Sequence, residues 1–126
     1  MKKASLRETT YTMATEYSKH LSEPWFSLVR NGLKTCEGRL LKGDFALMKV
    51  GDIVRFYHGI EAFHVQITSL QRYSSFLAYL QAEGLASCLP GITTFEEGCT
   101  IYRSYYSEED ERTYGIVAIR FTKIIC

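Results

Sequence analysis

Two strand-type segments in the middle of the chain constrain its fold more than any other feature. They are IVRFYH (residues 53–58) and FHVQITSLQRY (residues 63–73), and both are rich in β-branched and aromatic residues. Only the short segment GIEA separates them, and a connection of this length joins antiparallel strands. The sequence therefore predicts a β-hairpin, and with it a sheet against which the rest of the chain packs.

The remaining segments alternate between strand-type and helix-type patterns. Three further strands are predicted, at residues 11–21, 34–40 and 114–125. Capping residues, prolines, glycine stops and helical spacing of apolar side chains predict three short helices, at residues 22–32, 74–84 and 93–106. The charged run SEEDERT (residues 107–113) is predicted to be a loop.

These elements predict one α+β domain over residues 10–126, preceded by a flexible arm at residues 1–9. Short strands with helices between them favour a closed or partly closed sheet. The expected architecture is a small mixed β-barrel of about six strands with roughly two to four short flanking helices.

Charge and cysteine content exclude several classes of function. The formal net charge is +1 and the pI is about 7.7, which argues against a protein that coats long nucleic acid such as DNA, since such proteins usually carry a strong basic excess. The four cysteines have no zinc-type spacing, so reduced thiols are expected and neither a metal nor another cofactor. No apolar run approaches membrane-spanning length. We expect a cytoplasmic monomer, small enough to enter the nucleus as well.

A cluster of polar residues, KTCEGR, follows the first predicted helix. In a strand, Thr35, Glu37 and Arg39 would share one face because side chains alternate, and Glu37 could pair with Arg39. Lys34 would face away unless the bend between helix and strand turns it back. The ordinary alternative is a solvated strand face with one surface ion pair, which contributes little stability. Residue spacing does not decide between the two.

Aromatic and capping residues supply further candidates for ligand contacts. Trp25 and Phe26 begin the first helix, where one of them is expected in the core and the other beside the polar cluster. Ser74 or Ser75 is expected to cap the second helix, whose N-terminus would be a suitable place for a phosphate, and Ser75 is the one assigned to the ligand site.

The third predicted helix carries three tyrosines near its end. Tyr102 and Tyr106 fall on the helical stripe that is expected to be buried, although either could stack on a base. Arg103 and Tyr105 are expected to be exposed, where they could contact a phosphate or a base.

Several motifs between residues 23 and 122 occur together in a recognisable order. The first places Trp25 and Phe26 before GLKTCEGR, and the others are KVGDIVRF, YSSFLAYLQAEGL, LPG and ERTYGIVAIRF. In this combination the chain resembles ASCH domain proteins, which are related to the PUA fold. It is most similar to the compact members in which this domain is the whole protein.

The resemblance implies a barrel whose cleft is lined by the lysine–threonine–glutamate–arginine strand, and a function in binding RNA or nucleotides. Some family members remove the acetyl group from acetylated cytidine, and ribonuclease activity also occurs in the family. In the amidohydrolases a lysine acts as base, a threonine three positions later as nucleophile and a distant glutamate as acid. Lys34 matches the lysine, Glu37 stands in the place of the threonine, and Glu83 corresponds to the glutamate.

Three hypotheses follow. The favoured one is a module that binds RNA, a nucleoside or a nucleotide, with a plain or modified base in the cleft. Its predicted ligand-binding residues are Trp25, Thr35, Arg39, Ser75, Arg103 and Tyr105. The second is an amidohydrolase or ribonuclease, with the catalytic residues Lys34, Glu37 and Glu83. The third is a protein-interaction domain that uses the apolar closing strand or the tyrosine-rich helix.

Overall fold

The computed structural model describes residues 14–125, in which strands and helices form one α+β unit. The described strands are β1 (Glu16–His20), β2 (Cys36–Leu40), β3 (Ile53–His58), β4 (Glu61–Tyr73) and β5 (Ile116–Lys123). The described α-helices are α1 (Trp25–Arg30), α2 (Phe76–Glu83), α3 (Leu85–Cys88), α4 (Phe95–Arg103) and α5 (Glu108–Tyr114). A short 3-10 helix spans Gly43–Ala46.

The strands form a single curled sheet in the order β1-β3-β4-β5-β2. Strand β1 is parallel to β3, and the other neighbours are antiparallel. The first part of the long strand β4 pairs with β3 and the later part with β5, with a register shift between Ile67 and Ser69. Because β4 turns from one partner to the other, the sheet curls into a half-barrel, and β1 and β2 are its edges among the described strands.

Apolar residues pack on both faces of the sheet. Inside the curl, Phe26 of α1 packs on Phe63 of the hairpin, which in turn packs on Phe56. On the outer face, Phe76 and Tyr79 of α2 pack with Tyr102 of α4 and the β2 residues that point outward. Burial of each of these side chains stabilises the fold by about 1.5–3 kcal/mol. Since side chains alternate along β2, Glu37 lies on the face opposite to these contacts.

A glycine lets strand β2 lie directly against α2. A Cβ atom on Gly38 would stand 2.5 Å from the Tyr79 ring, closer than real Cβ atoms approach. In the same way, a Cβ on Gly98 would meet a Leu80 methyl at 2.9 Å, where α4 crosses α2. These two contacts fix the distance from β2 to the helices above it.

The α+β class and the central hairpin are confirmed. The described sheet has five strands where about six were predicted, and five α-helices appear where fewer were expected. Helix α3 is a single turn directly after Gly84, too short for apolar spacing to reveal. The predicted arm at residues 1–9 lies outside the described residues, as does the first part of the strand predicted at residues 11–21.

Residues 108–113 belong to helix α5 and Ser107 is its N-cap, so the prediction of a loop at residues 107–113 was wrong. Ser107 caps helix α5 by accepting a hydrogen bond from the Asp110 N–H at 3.1 Å, and acidic residues in the first turn suit the helix dipole. Glu111 is buried and accepts hydrogen bonds from Arg103 and from the Phe76 N–H at the start of α2. The charged run therefore includes one residue that ties three helices together.

The substitution Glu111→Gln is expected to lower the free energy of unfolding by about 1–3 kcal/mol near neutral pH, because it weakens these contacts. Burial alone would raise the pKa of Glu111, but the bonds from Arg103 and Phe76 outweigh it and the net pKa is lowered. The contribution of this carboxylate is therefore complete above its unfolded-state pKa and is lost as the pH falls through its folded-state pKa. Urea unfolding across that range should show the difference from wild type shrinking in acid.

Glu109→Gln, at an exposed position of the same helix, is the matched control and should change stability by less than about 0.5 kcal/mol. A loss for Glu111→Gln that is the same at neutral and acidic pH would contradict the role given to its charge.

Candidate ligand-binding site

A cavity of about 370 Å³ opens between the two edges of the sheet. The end of β1 and the residues after it form one wall, β2 forms the floor, and residues of α1 and α4 cover it. Its lining combines aromatic side chains with the charged residues Lys34, Glu37 and Arg39. Its volume falls in the range of small-molecule sites, roughly 300–1,000 Å³.

Two polar contacts join elements that surround the cavity. Arg39 Nη2 donates to the His20 carbonyl at 2.8 Å, which ties β2 to β1. The Ser22 and Tyr105 hydroxyl oxygens are 2.9 Å apart, which ties the chain after β1 to the end of α4. The cavity is therefore walled by elements that are joined to one another.

Lys34, Glu37 and Arg39 form a buried ion cluster on the cavity floor. Lys34 Nζ is 3.1 Å from Glu37 Oε1, and Arg39 Nε donates to Glu37 Oε2 at 2.7 Å. Lys34 is 1% exposed and Glu37 6%. Charges this deeply buried are tolerated only when they are paired and hydrogen-bonded, as they are here. The alternative of a solvated strand face is therefore wrong.

The position of Lys34 follows from the bend before β2. Its N–H donates to the Leu28 carbonyl at the end of α1, so the strand has not begun and the side chain turns back toward Glu37. The ammonium also donates to the carbonyls of Cys36, at 2.7 Å, and Cys88. With Glu37, these acceptors use all three protons of the ammonium. Lys34 therefore holds the floor together.

Glu37 presents a fixed negative charge to the cavity. Burial alone would raise the pKa of Glu37, but the charges of Lys34 and Arg39 outweigh it, and the net pKa lies below its ordinary value of 4.5. Each carboxylate oxygen bonds one partner and retains acceptor capacity for another. Near neutral pH, Glu37 is a hydrogen-bond acceptor and holds no proton to give away.

Aromatic side chains form the cover. The centroid of the Trp25 ring lies 5.9 Å from Lys34 Nζ, which faces the ring, and Tyr102 and Tyr106 both line the cavity. Tyr102 also stacks on Phe76 with 4.6 Å between ring centroids. It belongs to the core, as predicted, and still reaches the cavity. Burial raises the pKa of Tyr102 and Tyr106, so both are neutral phenols.

The structure brings five of the residues predicted for the site to this cavity, namely Trp25, Lys34, Glu37, Arg39 and Tyr105. Phe26 is fully buried in the core, so Trp25 is the member of the aromatic pair beside the polar cluster, and Tyr105 is 54% exposed.

Four other predicted site residues lie outside the lining contributed by residues 14–125: Thr35, Ser75, Glu83 and Arg103. The Thr35 N–H donates to the Ser87 carbonyl at 3.0 Å. Ser75 caps α2 by accepting from the Ala78 N–H, and the adjoining N–H, that of Phe76, already binds Glu111. The phosphate seat expected at this helix N-terminus is thus filled by the protein's own carboxylate.

Glu83 and Arg103 have structural partners of their own. Glu83 accepts from Arg120 at 2.7 Å and from the Tyr73 hydroxyl at 2.5 Å. It lies near Cys36 Sγ, on the face of β2 opposite to Glu37. The Arg103 guanidinium donates to Glu111. Neither residue is positioned to act on a molecule in the cavity.

Sequence reasoning missed six lining residues, namely His20, Leu21, Ser22, Gly38, Leu89 and Ile101. His20, Leu21 and Ser22 reach the cavity because the fold brings the end of β1 beside β2, whereas Leu89 follows α3 and Ile101 belongs to α4. All five are distant from β2 along the chain. No local motif marks that approach.

A second, more open depression adjoins the cavity and shares Arg39 and Tyr106 with it. Lys19 and Lys42 line it together with Phe45. Lys19 is paired with Asp44 at 2.9 Å. The charged surface thus continues beyond the cavity along the outer side of Arg39.

Two further searches of the described residues were negative. No group of three or more His, Cys, Asp or Glu side chains within residues 14–125 is arranged to hold a metal ion. None of the described helices is long and apolar enough to cross a membrane.

A curled half-barrel with helices on its outer face and a cavity at its open side defines a PUA-like fold with a ligand-sized site. The ASCH domain model matches residues 20–125, so the chain belongs to the ASCH domain family, a PUA-like family often linked to RNA binding. No curated protein gives a significant match.

Solved structures share this fold. The crystal structure of the hypothetical protein PH0355 is 37% identical, with a TM-score of 0.82, and the match covers 87% of this chain and 100% of that one. A solution NMR structure of a protein from Pyrococcus furiosus is 35% identical, with a TM-score of 0.74, covering 89% and 100%. A mutant of ZmASCH from Zymomonas mobilis is 12% identical, with a TM-score of 0.57, covering 88% and 68%, and shows likeness of fold alone.

The substitution Lys34→Met is expected to lower the free energy of unfolding by about 3–5 kcal/mol, because it leaves the buried Glu37 with one cationic partner and two carbonyls without their donor. Lys19→Met breaks the more exposed pair with Asp44 and should lower it by less than about 1 kcal/mol. Urea denaturation of both variants measures the difference. Equal, small losses would contradict the structural role given to Lys34.

Proposed function

We propose that this protein binds a nucleobase of single-stranded RNA or of a nucleotide in the cavity. The observation that carries the proposal is an ionised, buried carboxylate, Glu37, facing a space covered by Trp25 and tyrosines. A base is flat, stacks on aromatic rings, and carries hydrogen-bond donors on its edge. A carboxylate accepts hydrogen bonds from exposed amino groups of bases.

The charge of the site supports a ligand that carries phosphate. Lys34 and Arg39 outnumber Glu37, so the cavity floor is net positive. Beyond Arg39, the adjoining depression is lined by Lys19 and Lys42 together with Asp44 and Asp110, and Lys19 is paired with Asp44. Lys42 is therefore the side chain of this depression that would meet a phosphate attached to the bound nucleoside. The overall charge of +1 suits a short, local contact with RNA better than coverage of a long duplex.

The arrangement of the cluster gives hydrolysis less support than binding. A lysine base needs an unprotonated amine, whereas the Lys34 ammonium donates to three acceptors. Glu83, the residue expected to act as acid, is bonded to Arg120 and Tyr73 away from the cavity. We therefore leave deacetylation and RNA cleavage out of the proposed function.

Isothermal titration with the four ribonucleoside 5′-monophosphates and with short single-stranded RNAs tests the proposal. Trp25→Ala is expected to weaken binding roughly 5- to 150-fold, the loss typical of one base–aromatic stack. Binding should also weaken as the salt concentration rises, because phosphate contacts release counterions.

The control is Phe95→Ala, which removes a partly exposed aromatic residue of α4 outside the described cavity lining. It should leave the affinity unchanged, and circular dichroism should show that both variants fold. The proposal fails if none of the nucleotides or RNAs binds the wild type, or if Trp25→Ala binds as tightly as Phe95→Ala.

A further inference from the structure

Strand β2 is an edge of the described sheet, so one of its two sides has no neighbouring strand. It pairs with β5 in an antiparallel register that sets Glu37 opposite Ile119 and Gly38 opposite Ala118. Along an edge strand, the main-chain groups of successive residues point alternately toward the neighbour and toward the open side.

Two contacts show which residues of β2 point to the open side. The Leu41 N–H donates to the Gly115 carbonyl at 2.9 Å, one step beyond the paired residues in the same register. Leu41 therefore directs its N–H toward β5, as do the residues two and four positions before it, Arg39 and Glu37. The residues between them face away, and the Cys36 carbonyl accordingly accepts from Lys34 Nζ on that side.

Gly38 shares this outward orientation, and it lines the cavity. Gly38 is buried. Its N–H and carbonyl point away from β5, and within residues 14–125 neither group has a hydrogen-bond partner on that side. Buried main-chain groups almost always have a hydrogen-bond partner. A Cβ on Gly38 would point at the Tyr79 ring, so the main-chain groups of this residue, and no side chain, are what it presents to the cavity.

We propose that the Gly38 N–H and carbonyl bind the hydrogen-bonding edge of the base, beside the Glu37 carboxylate. The inference rests on the proposed function and adds to it which bases are accepted. The site then offers one donor, the Gly38 N–H, together with two acceptors, the Gly38 carbonyl and the Glu37 carboxylate. A base that satisfies it needs one acceptor and at least two donor hydrogens.

Cytosine, adenine and guanine meet this requirement because each has an amino group next to a ring nitrogen or a ring N–H. Uracil has a single N–H between two carbonyls, so one acceptor of the site would stay unpaired. A buried acceptor left without a partner weakens binding appreciably. The site should therefore favour bases that carry an amino group and discriminate against uracil.

Cytidine and uridine 5′-monophosphate are a matched pair for the test. They differ only at position 4, where cytosine has an amino group and uracil a carbonyl, and at the adjoining ring nitrogen, which carries a proton only in uracil. We expect the wild-type protein to bind the cytidine nucleotide at least about tenfold more tightly. In ¹⁵N-resolved NMR spectra, the Gly38 amide signal should shift on addition of that nucleotide, and its exchange with solvent should slow. Gly59, in the turn between β3 and β4, is the internal control and should not respond.

A second, independent measurement uses the ligand-free protein. Before any nucleotide is added, the Gly38 amide should exchange with solvent faster than the amides of Glu37 and Arg39, which face β5. A protected Gly38 amide at this stage overturns the inference whatever binds later.

The outcomes separate this inference from the proposed function. Equal affinity for the two pyrimidine nucleotides, or binding that leaves the Gly38 amide unmoved, overturns the role of Gly38 and leaves base binding standing. If no nucleotide binds at all, the proposed function and this inference fail together.

Discussion

The Lys34–Glu37–Arg39 ion cluster is the interaction on which the open side of the half-barrel depends. Through its ammonium, Lys34 joins the start of β2 to the Cys88 carbonyl at the end of α3. Through its guanidinium, Arg39 joins β2 to the His20 carbonyl at the end of β1. Glu37 links the two cations. Three charged side chains thus connect two edges of one sheet with a helix on its outer face, and the cavity is the space they leave.

The energetics of the cluster point to a role beyond stability. Burying charges costs several kcal/mol for each ion, and the mutual attraction of a pair recovers that cost only when geometry and additional hydrogen bonds are good. Well-packed apolar residues of similar size often stabilise a protein at least as well. A buried carboxylate that keeps acceptor capacity toward an aromatic-lined cavity is suited to selecting a ligand.

The sequence predicted the hairpin, the α+β class and the central part of the site, because those features depend on local patterns. Alternation along KTCEGR placed Glu37 and Arg39 on one face, and their pairing follows from that spacing. The burial of Lys34 could not be predicted, since its acceptor at Cys88 is distant in sequence and comes close only when α3 packs against β2. Glu111 shows the same limit: a run of acidic residues looks solvated until one of them is found bonded to Arg103 and α2. Gly38 lacks a side chain, so only the strand register reveals its outward main chain.

The pKa of the Glu37 carboxyl, followed by ¹³C NMR in the ligand-free protein, tests the account most directly. The paired cluster predicts a titration midpoint below the ordinary value of 4.5, and a higher midpoint in Arg39→Gln, where one cation is removed. A wild-type midpoint at or above the ordinary value would mean that burial outweighs the two cations. The cavity would then contain a protonated acid in place of the fixed negative charge that base binding requires.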